Sequence, residues 1–397
     1  MSILLIHRFY APDSPPYASI LKDIRELAIS NKYRVDVLSS QPSYKTVDQS
    51  KKFQWKIQDD DGCIYRLPVF LFLNQKIAKT LNFFWFPFVV FIFILFGKKY
   101  QAITVSTAPP VLLGFFTALA CRIRGISLIY HCMDIHPEIG KISGEFKSQW
   151  IFKLLKIFDL FTCQYAKKII VLSEDMRQSL LNRDKKLIDK IIIINNYNLG
   201  DSEIVKQNFF NPKDGVIRLI FAGNLGRFQN LTSLIKALEK SNTNTDFEII
   251  FMGEGDALND LRRLTRELAL ELKVRFIPHQ PVEVAKQVIK DSHMAIVSLQ
   301  KEVIEYAYPS KTMTYLSLGI PILALVEEES ELSKMIVSNH LGIVSETGDV
   351  TKIAEHFDAL SHNVYNFDRP KIKKFFLKNF SKKEFEGKFL HLLSDII

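Results

Sequence analysis

The chain has 397 residues, of which 47% are hydrophobic and 24% are charged, and this composition is that of a globular protein long enough for two domains of ordinary size. The formal net charge of +9 favours phosphate-rich partners such as nucleotides, nucleic acid or an anionic membrane surface. The four cysteines show neither CxxC nor metal-ligand spacing, which argues against a disulfide framework and favours reduced thiols in the cytosol.

The N-terminal half alternates short apolar runs with helical patterns. Residues 3–6 form the first run, and because it has neither a basic segment before it nor the length of a secretory core, a β-strand is favoured over a signal peptide. A helical pattern follows over 18–28 and a β-rich run over 34–38. Such alternation is typical of a parallel sheet covered by helices on both faces. Further apolar runs occupy 102–105, 128–130, 168–172 and 191–194.

The segment at 83–96, FFWFPFVVFIFILF, has no charged residue, and eight of its side chains are aromatic. A membrane-spanning helix needs about 20 apolar residues, and Pro87 interrupts this segment. A buried core helix, a span and a monotopic patch that dips into a bilayer all stay open. The patch is favoured because aromatic residues would lie on every face of the helix and lysines follow it. Its predicted membrane residues are Phe84, Trp85, Phe88 and Phe91.

A polar segment rich in turn residues, 200–215, predicts a linker, after which the strand and helix pattern restarts. The final segment is amphipathic, with Ser381 placed to cap a helix that returns to the first domain. The sequence therefore predicts an α/β fold of two doubly wound, Rossmann-like domains that face a cleft, where such folds bind ligands. The predicted boundaries are 1–199 for the N-terminal domain, 200–215 for the linker, 216–376 for the C-terminal domain and 377–397 for the returning helix.

Residues 306–324, YAYPSKTMTYLSLGIPILA, place a turn, a short helix and a strand in close succession. The proline presets the turn, and Ser310 or Thr312 is predicted to cap the first helical turn. The N–H groups at the helix start, together with the charge of Lys311, would form an anion site. For this motif alone, a simple helix cap beside a solvated lysine stays open.

A second turn of the same kind, FAGNLGRFQNL at 221–231, follows the strand that opens the second domain. Gly223 and Gly226 would let the backbone approach a ligand closely. Arg227 offers a fork of donors that matches phosphate oxygens, and Asn224 and Gln229 add neutral polar contacts. A strand-to-helix turn without a ligand is the alternative. Two such turns, each ending a strand and each carrying a cation, favour a phosphate site.

These motifs resemble those of the family 4 GT-B glycosyltransferases, retaining enzymes that move a sugar from a nucleotide-sugar donor. The resemblance is closest to the bacterial O-antigen and capsule subgroup, which includes the L-N-acetylfucosamine and colanic-acid transferases. The family's GN-G-x-x-Q-x-L turn is matched at 223–231, its P-S-K at 309–311 and its Y-L-x-x-G-x-P at 315–321. Further matches, in the family's order, are the Y-x-P-E-like turn at 10–13, the Ser-to-Pro-Pro turn at 106–110, L-S-E-x-M at 172–176 and the Asn-aromatic pair at 196–197.

The resemblance implies that Lys311, Arg227 and the amides at 310–312 bind the diphosphate of the donor. Two departures concern the family's paired glutamates, whose positions hold Tyr306 and Thr314 in this chain. Thr314 offers a ribose hydroxyl only a neutral hydrogen bond, and Glu305 is one place away from the first position. The predicted substrate-binding residues are Gly223, Asn224, Gly226, Gln229, Gly253, Gly255, Ser310, Thr312, Thr314, Glu305 and His131.

In the first domain, YHCMDIHPE at 130–138 concentrates titratable side chains at the end of a predicted strand. Metal ligation by His131, Asp134, His136 and Glu138 is one interpretation, and a structural role for His131 with a backbone partner is another. The resemblance places Asp134 near the reacting sugar, where it would orient the acceptor hydroxyl or act as a weak base. Asp134, Arg227 and Lys311 are the predicted catalytic residues.

The predicted protein is thus a hexosyl- or N-acetylhexosaminyltransferase that uses a nucleotide-sugar, with UDP the base implied by the resemblance, and needs no metal or other cofactor. Its acceptor would be a polyprenyl-diphosphate-linked saccharide, and its location the inner face of the cell membrane, as a monomer or weak dimer. A UDP-N-acetylglucosamine 2-epimerase-like enzyme and an inactive membrane-bound scaffold stay open as alternatives. No basic-aromatic module for nucleic acid is visible.

Overall fold

The computed structural model describes residues 2–13, 15–43, 54–71, 75–144, 148–198, 209–210, 215–243 and 246–396. The chain forms two compact units. Unit 1 comprises Met1–Leu199, Tyr306–Tyr308 and Lys382–Ile397, and unit 2 comprises Gly200–Glu305 and Pro309–Ser381. Most of the linker predicted at 200–215 lies outside the described residues.

Unit 1 contains an eight-stranded sheet in the order β3-β4-β2-β1-β5-β6-β7-β8. All neighbouring strands are parallel except β3 and β4, which are antiparallel. The central strands are buried on both faces, which explains their continuous apolar runs. The strands are β1 (Ser2–Ile6), β2 (Arg34–Ser40), β3 (Lys56–Asp59), β4 (Gly62–Leu67), β5 (Ala102–Ser106), β6 (Ser127–His131), β7 (Lys168–Val171) and β8 (Ile191–Ile193).

The helices of unit 1 pack against this sheet through their apolar sides. The last of them, α14, comes from the C-terminus and inserts Phe385 and Phe389 into the same buried cluster as Ile20 and Ile24 of α1. At the start of α6, the Ser173 hydroxyl accepts a hydrogen bond from the Met176 amide, as the L-S-E-x-M sequence suggests. The helices are α1 (Pro16–Ser30), α2 (Gln75–Phe96), α3 (Leu112–Arg124), α4 (Glu138–Ile142), α5 (Gln149–Tyr165), α6 (Glu174–Arg183) and α14 (Lys382–Ile396), with a 3-10 turn at Lys185–Leu187.

Unit 2 contains a six-stranded parallel sheet in the order β11-β10-β9-β12-β13-β14. Its strands are β9 (Ile217–Ala222), β10 (Phe247–Met252), β11 (Val274–Ile277), β12 (Met294–Ser298), β13 (Ile322–Leu325) and β14 (Gly342–Ser345). Its helices are α7 (Thr232–Lys240), α8 (Leu258–Glu267), α9 (Val282–Lys290), α10 (Lys311–Ser317), α11 (Glu331–Ser338), α12 (Val350–Ser361) and α13 (Arg369–Asn379), with 3-10 turns at Arg227–Gln229 and Val303–Glu305.

The parallel strands of each sheet reverse their order once, and this reversal positions the candidate sites. In unit 1, β1 lies between β2 and β5, and in unit 2, β9 lies between β10 and β12. The loops that follow such a central strand and its neighbour diverge to opposite faces, which leaves a crevice at the carboxyl ends of the strands. The predicted mixed α/β class with two parallel, Rossmann-like sheets is confirmed.

The aromatic segment lies within α2, which is longer than the predicted patch. Phe86, Val90 and Ile94 are fully buried against the rest of unit 1, whereas the opposite face of the helix is exposed. The helix is therefore not a wholly buried core element. Among the described helices, α2 alone has the length and apolar composition needed to cross a membrane.

Candidate functional site

Two glycine turns at the carboxyl ends of β9 and β10 are hydrogen-bonded to each other. The Gly223 amide donates to the Met252 carbonyl at 2.9 Å, and the Leu225 amide donates to the Glu254 carbonyl at 2.8 Å. Gly253 has a φ of +139°, and a Cβ at this position would overlap the Gly223 carbonyl oxygen. Glycine is therefore required at 253 for the two turns to pack, and this arrangement fixes the shape of the predicted phosphate loop.

Tyr315 ties α10 to the end of β9. Its hydroxyl accepts a hydrogen bond from the Ala222 amide at 3.0 Å and donates to the Ala222 carbonyl at 3.3 Å. Burial raises the pKa of this phenol well above its usual value. Tyr315 belongs to the Y-L-x-x-G-x-P motif but was not among the predicted site residues. The double hydrogen bond to one backbone residue explains why a tyrosine serves this position.

Lys311 is the central charged group of this region. Its Nζ lies 3.3 Å from the ring centroid of Phe221 and within van der Waals distance of the position a Cβ on Gly223 would occupy. The Nζ is buried and has no hydrogen-bond partner among the described residues. Burial lowers the pKa of Lys311 from 10.5 to about 7. A buried ammonium without a counter-ion is costly, and an anionic ligand would remove that cost.

Two further buried polar atoms accompany the lysine. In the part of the chain that the structure describes, Thr312 Oγ1 and Gln229 Oε1 also make no hydrogen bond. The Gln229 side chain and the exposed Asn224 flank Gly226, where a Cβ would come within 2.9 Å of Asn224 Nδ2. The loop thus presents polar side chains beside Lys311, and the absence of a side chain at 226 leaves room for them.

The predicted helix cap is wrong in its details. Ser310 occupies the N-cap position of α10, but its side chain makes no capping hydrogen bond. The Thr312 amide donates to the Pro309 carbonyl and the Met313 amide to the Ser310 carbonyl, because the turn closes with 3-10-type hydrogen bonds. The Thr312 amide therefore already has a protein partner, and Lys311 is left as the main donor of this turn.

The other predicted donor-binding residues lie on the turns and the helix around Lys311. Arg227 begins a 3-10 turn, but its side chain lies outside what the structure describes. Gly255 has a φ of +155° and closes the second glycine turn. Thr314 lies within α10 and is half-buried, whereas Glu305 is exposed at the end of the turn Val303–Glu305.

In unit 1, three adjacent strands bring polar side chains to one edge of the sheet. His7 follows β1, Ser106 ends β5 and His131 ends β6. His7 Nδ1 is hydrogen-bonded to Ser106 Oγ, and His131 Nδ1 is hydrogen-bonded to the Tyr17 hydroxyl at 2.9 Å. The predicted structural partner of His131 was a backbone group, and the structure shows a tyrosine side chain instead. His7 and Ser106 were missed because only the strand order places them near His131, and Tyr17 was missed because it reaches His131 from helix α1.

Both histidines of this cluster are buried, and burial lowers the pKa of each to about 3. They are therefore neutral imidazoles at physiological pH. Within the described residues, His131 Nε2 is buried without a hydrogen-bond partner. In the same ranges, no three His, Cys, Asp or Glu side chains are placed to hold a metal ion. The cluster offers a neutral hydrogen-bonding nitrogen to a ligand at this edge.

Asp134 follows the same edge of the sheet. Its backbone forms an antiparallel bridge with Ala307, and the Ile135 amide donates to the Tyr306 carbonyl at 2.7 Å. Tyr306 therefore contributes a backbone contact to the loop that carries Asp134. Burial raises the pKa of the Asp134 carboxyl to about 6, so the group is ionised at neutral pH but close to its titration range.

An ion-pair network fixes the far end of this loop. The buried guanidinium of Arg183 donates to Asp159 at 2.5 Å, to both oxygens of Glu138 and to the His136 carbonyl at 3.0 Å. Tyr130 completes the network by donating its hydroxyl to Asp159 at 2.7 Å. The pKa of His136 falls to about 4 because the ring is buried and lies near the positive charge of Arg183. Glu138 is thus an ion-pair partner, and Arg183 was missed by the sequence analysis.

The predicted membrane residues differ in exposure. Phe84, Phe88 and Trp85 are exposed, at 58%, 47% and 39% of their surface. Phe91 is half-buried, and its ring contacts Phe116 of α3 with the centroids 6.0 Å apart. Three of the four predicted side chains therefore lie on the outward face of α2.

Residues 202–373 match the family model "Glycosyl transferases group 1". A probable glycosyltransferase of Pseudomonas aeruginosa, WbjE, is 21% identical to the chain over 272 residues, which cover 66% of this chain and 67% of that protein.

The whole chain also superposes on solved structures. The sucrose-phosphate synthase of Thermosynechococcus elongatus has a TM-score of 0.74 at 13% identity, with 100% of this chain and 98% of that chain covered. HepE of Anabaena, solved in complex with UDP-glucose, has a TM-score of 0.66 at 15% identity, with both chains covered completely. At these identities the superpositions show a shared fold. Residues 202–373, which make up most of unit 2, are a glycosyl transferases group 1 domain.

Proposed function

We propose that this protein is a retaining glycosyltransferase that moves a hexosyl or N-acetylhexosaminyl group from a UDP-sugar to a lipid-linked saccharide in bacterial surface polysaccharide assembly. The observation that carries the proposal is the buried Lys311 ammonium, which has no counter-ion among the described residues and adjoins a glycine turn at the end of β9. The diphosphate of a nucleotide-sugar supplies the charge that this site lacks.

The donor half of the mechanism is charge stabilisation of the leaving group. As the bond between the anomeric carbon and the phosphate oxygen breaks, negative charge grows on the diphosphate and positive charge on the sugar ring. Lys311 would balance the charge on the diphosphate from a site with little water, where one such contact contributes about 3–4 kcal/mol. Arg227 would add a second cation from the neighbouring turn. The structure of HepE with UDP-glucose supports a UDP-sugar as the donor on this fold.

The acceptor half is assigned to the Asp134 loop of unit 1. The Asp134 carboxylate would orient the attacking hydroxyl by accepting its hydrogen bond. Arg183 and the backbone bridge to Ala307 hold the loop on both sides of this carboxylate. Retention of configuration is tested by NMR of the product: an axial bond formed from an axial donor supports it, and inversion contradicts it.

A lipid-linked acceptor is supported by the exposed aromatic face of α2. An enzyme that acts on a polyprenyl-diphosphate saccharide must work at the bilayer surface, since the lipid chain stays in the membrane. Exposed aromatic side chains next to lysines are suited to the headgroup region. We therefore propose that the protein acts on the cytoplasmic face of the cell membrane.

The experiment that tests the donor site is calorimetric titration with UDP and with GDP. We expect the wild-type protein to bind UDP and Lys311→Ala and Arg227→Ala to bind it about 10- to 100-fold more weakly, the usual effect of losing a charge-assisted hydrogen bond. Lys334→Ala, which removes an exposed lysine of α11, is the matched control and should bind as the wild type does. Failure to bind either nucleotide contradicts the proposal.

Turnover then distinguishes the remaining enzyme classes. We expect release of UDP from a UDP-sugar only when a lipid-linked saccharide is present. Isomerised donor in the absence of acceptor would indicate an epimerase, and no turnover with any donor that binds would indicate a scaffold.

A further inference from the structure

The outward face of α5 is apolar although the helix lies on the surface of unit 1. Trp150, Leu154, Ile157 and Phe161 follow one another at spacings of four, three and four residues, which places them on one side of the helix. Trp150 is 72% exposed and Ile157 62% exposed. A surface helix that only packs on a sheet has polar residues on its solvent-facing side. The apolar stripe on this side of α5 therefore indicates a further contact.

This stripe is continuous with the exposed face of α2. Helix α3 packs between α2 and α5. Its Phe116 ring contacts Phe88 and Phe91 of α2, with centroids 6.4 Å and 6.0 Å away, and its Phe115 ring stacks on Phe158 of α5 at 4.3 Å. Ile123 near the end of α3 is 58% exposed. The three helices therefore present one apolar surface, which we call the three-helix face.

The charges around the three-helix face are positive. Residues 62–133, which include all of α2 and α3, contain no Asp or Glu. Exposed Lys79, Lys99, Arg122 and Lys153 lie on or beside the three helices, and the Arg122 guanidinium lies over the Phe161 ring at 5.7 Å. Asp159, the acidic residue of α5, is buried and paired with Arg183. An apolar surface surrounded by cations complements an anionic bilayer.

The same charges argue against a second copy of the chain as the occupant. In a twofold symmetric dimer, the same patch of each subunit faces its partner. The described residues of the three-helix face expose no carboxylate that could pair with Arg122 or Lys153 of another copy. Such a dimer would bring like charges together, whereas anionic lipid headgroups neutralise them.

We propose that the three-helix face, and not α2 alone, is the membrane-docking surface of this protein, with Trp150 inserted at the headgroup level of an anionic bilayer. The inference rests on the proposed function, because that function supplies a reason for membrane contact. Helices of a parallel sheet run opposite to its strands, so α5 begins at the carboxyl edge where His131 and Asp134 lie. Trp150, near the first residue of α5, therefore adjoins the edge that is assigned to the lipid-linked acceptor.

The test is flotation of the full-length protein with vesicles of phosphatidylcholine, with and without phosphatidylglycerol. Trp150→Ser/Ile157→Ser removes two exposed side chains of α5, and Phe84→Ser/Phe88→Ser removes two of α2. From the apolar area lost, we expect each pair to weaken binding to the anionic vesicles by about tenfold or more. Leu272→Ser changes a leucine of unit 2 that is 87% exposed, and we expect it to bind as the wild type does.

The outcomes separate this inference from the proposed function. Loss of vesicle binding in both double variants, with unchanged UDP affinity and unchanged thermal unfolding, supports the three-helix face. Unchanged binding of Trp150→Ser/Ile157→Ser overturns it and leaves α2 as the docking element. A wild-type protein that binds UDP but no vesicle also overturns it while the donor site stands. A wild-type protein that binds vesicles but no nucleotide contradicts the proposed function instead. A wild-type dimer that Trp150→Ser converts to a monomer assigns the face to self-association.

Discussion

In the free protein, few groups stabilise the protonated form of Lys311, because its Nζ is buried without a hydrogen-bond partner among the described residues. Phe221 offers the face of its ring, but a cation–π contact recovers only part of the hydration that an ammonium loses on burial. A buried lysine beside an apolar ring is typical of an anion-binding site whose charge is balanced only when the ligand is bound. It also makes the protonation of the lysine depend on the ligand.

The first prediction is that UDP binding takes up a proton above pH 7. The pKa of Lys311 is lowered to about 7 in the free protein, and a bound diphosphate would raise it again toward 10.5. Between these two values the free lysine is neutral and the liganded lysine is charged, so affinity must fall as the pH rises through this range. Calorimetry at pH 8 in two buffers with different ionisation enthalpies measures the uptake directly.

Lys311→Met is the control for this measurement, because it keeps most of the side-chain volume and has no titrating group. We expect its residual UDP binding to show no proton uptake from this source. Equal uptake in Lys311→Met and the wild type would show that another group takes up the proton.

The second prediction concerns Asp134. Its pKa is raised to about 6 by burial, so the carboxylate that would accept the hydrogen bond of the sugar hydroxyl is lost as the pH falls through 6. We expect kcat/KM to decrease tenfold for each pH unit below about 6. Asp134→Asn should be slow at every pH and should lack this acidic limb. A limb that persists in Asp134→Asn would exclude Asp134 as its source.

At the scale of single elements, the loop that carries Asp134 depends on α5 and α6. Arg183 of α6 joins Asp159 of α5 to Glu138 and the His136 carbonyl, and all of these groups are largely buried. A guanidinium suits this position because its five donors lie in one plane and reach several acceptors at once. The network therefore fixes both the packing of two helices and the course of the loop.

The third prediction is that Arg183→Met lowers the free energy of unfolding by about 3–5 kcal/mol, since it leaves the buried Asp159 carboxylate without its cation, whereas Glu138 keeps its ion pair with Lys156. Arg177→Met removes the half-buried partner of Glu174 and should cost less than about 1 kcal/mol. Urea denaturation of both variants gives the comparison. A cost for Arg183→Met no larger than that for Arg177→Met would contradict the structural role assigned to the network.

Most strands of the two sheets could be predicted from the sequence because buried parallel strands are continuous apolar runs with polar boundaries. Strand β14 was not predicted, since its four residues contain a glycine and a serine and show no such run. Strands β3 and β4 were also missed, because β3 is exposed and the sequence of β4, GCIYRL, has no continuous apolar run. For α2, composition could not show which face is buried, because that depends on packing against α3.

The candidate site likewise contains residues that the sequence could identify and residues that only the fold brings together. Lys311 and the glycine turns lie in compact motifs, so their residues could be singled out from local sequence alone. His7, Ser106 and His131 are far apart in sequence and meet only because β1, β5 and β6 are adjacent in the sheet. The lowered pKa of Lys311 could not be foreseen either, since it results from burial beside Phe221.

At the scale of the whole molecule, unit 1 is built from both ends of the chain. Helix α14 places Phe385, Phe389 and Leu392 in the core cluster that contains Ile20 and Ile24 of α1. Lys382 at the start of α14 also pairs with Asp23 of α1 at 2.8 Å. Residues 1–199 therefore do not contain a complete hydrophobic core, although they contain the whole eight-stranded sheet.

The last prediction follows from this arrangement. Phe389→Ala replaces a fully buried ring of unit 1, whereas Lys311 belongs to unit 2, and it should destabilise unit 1 by about 3–5 kcal/mol, because the cavity that it leaves is lined by α1 and by the sheet. Leu377→Ala on α13, where the side chain is 55% exposed, should cost less than about 1 kcal/mol.

UDP binding reports on the glycine turns of unit 2, so we expect it to persist in Phe389→Ala at temperatures where the near-ultraviolet signal of Trp85 and Trp150 in unit 1 has been lost. Simultaneous loss of both signals would show that the two units unfold as one cooperative body, and stability equal to that of Leu377→Ala would show that α14 adds little to the core of unit 1.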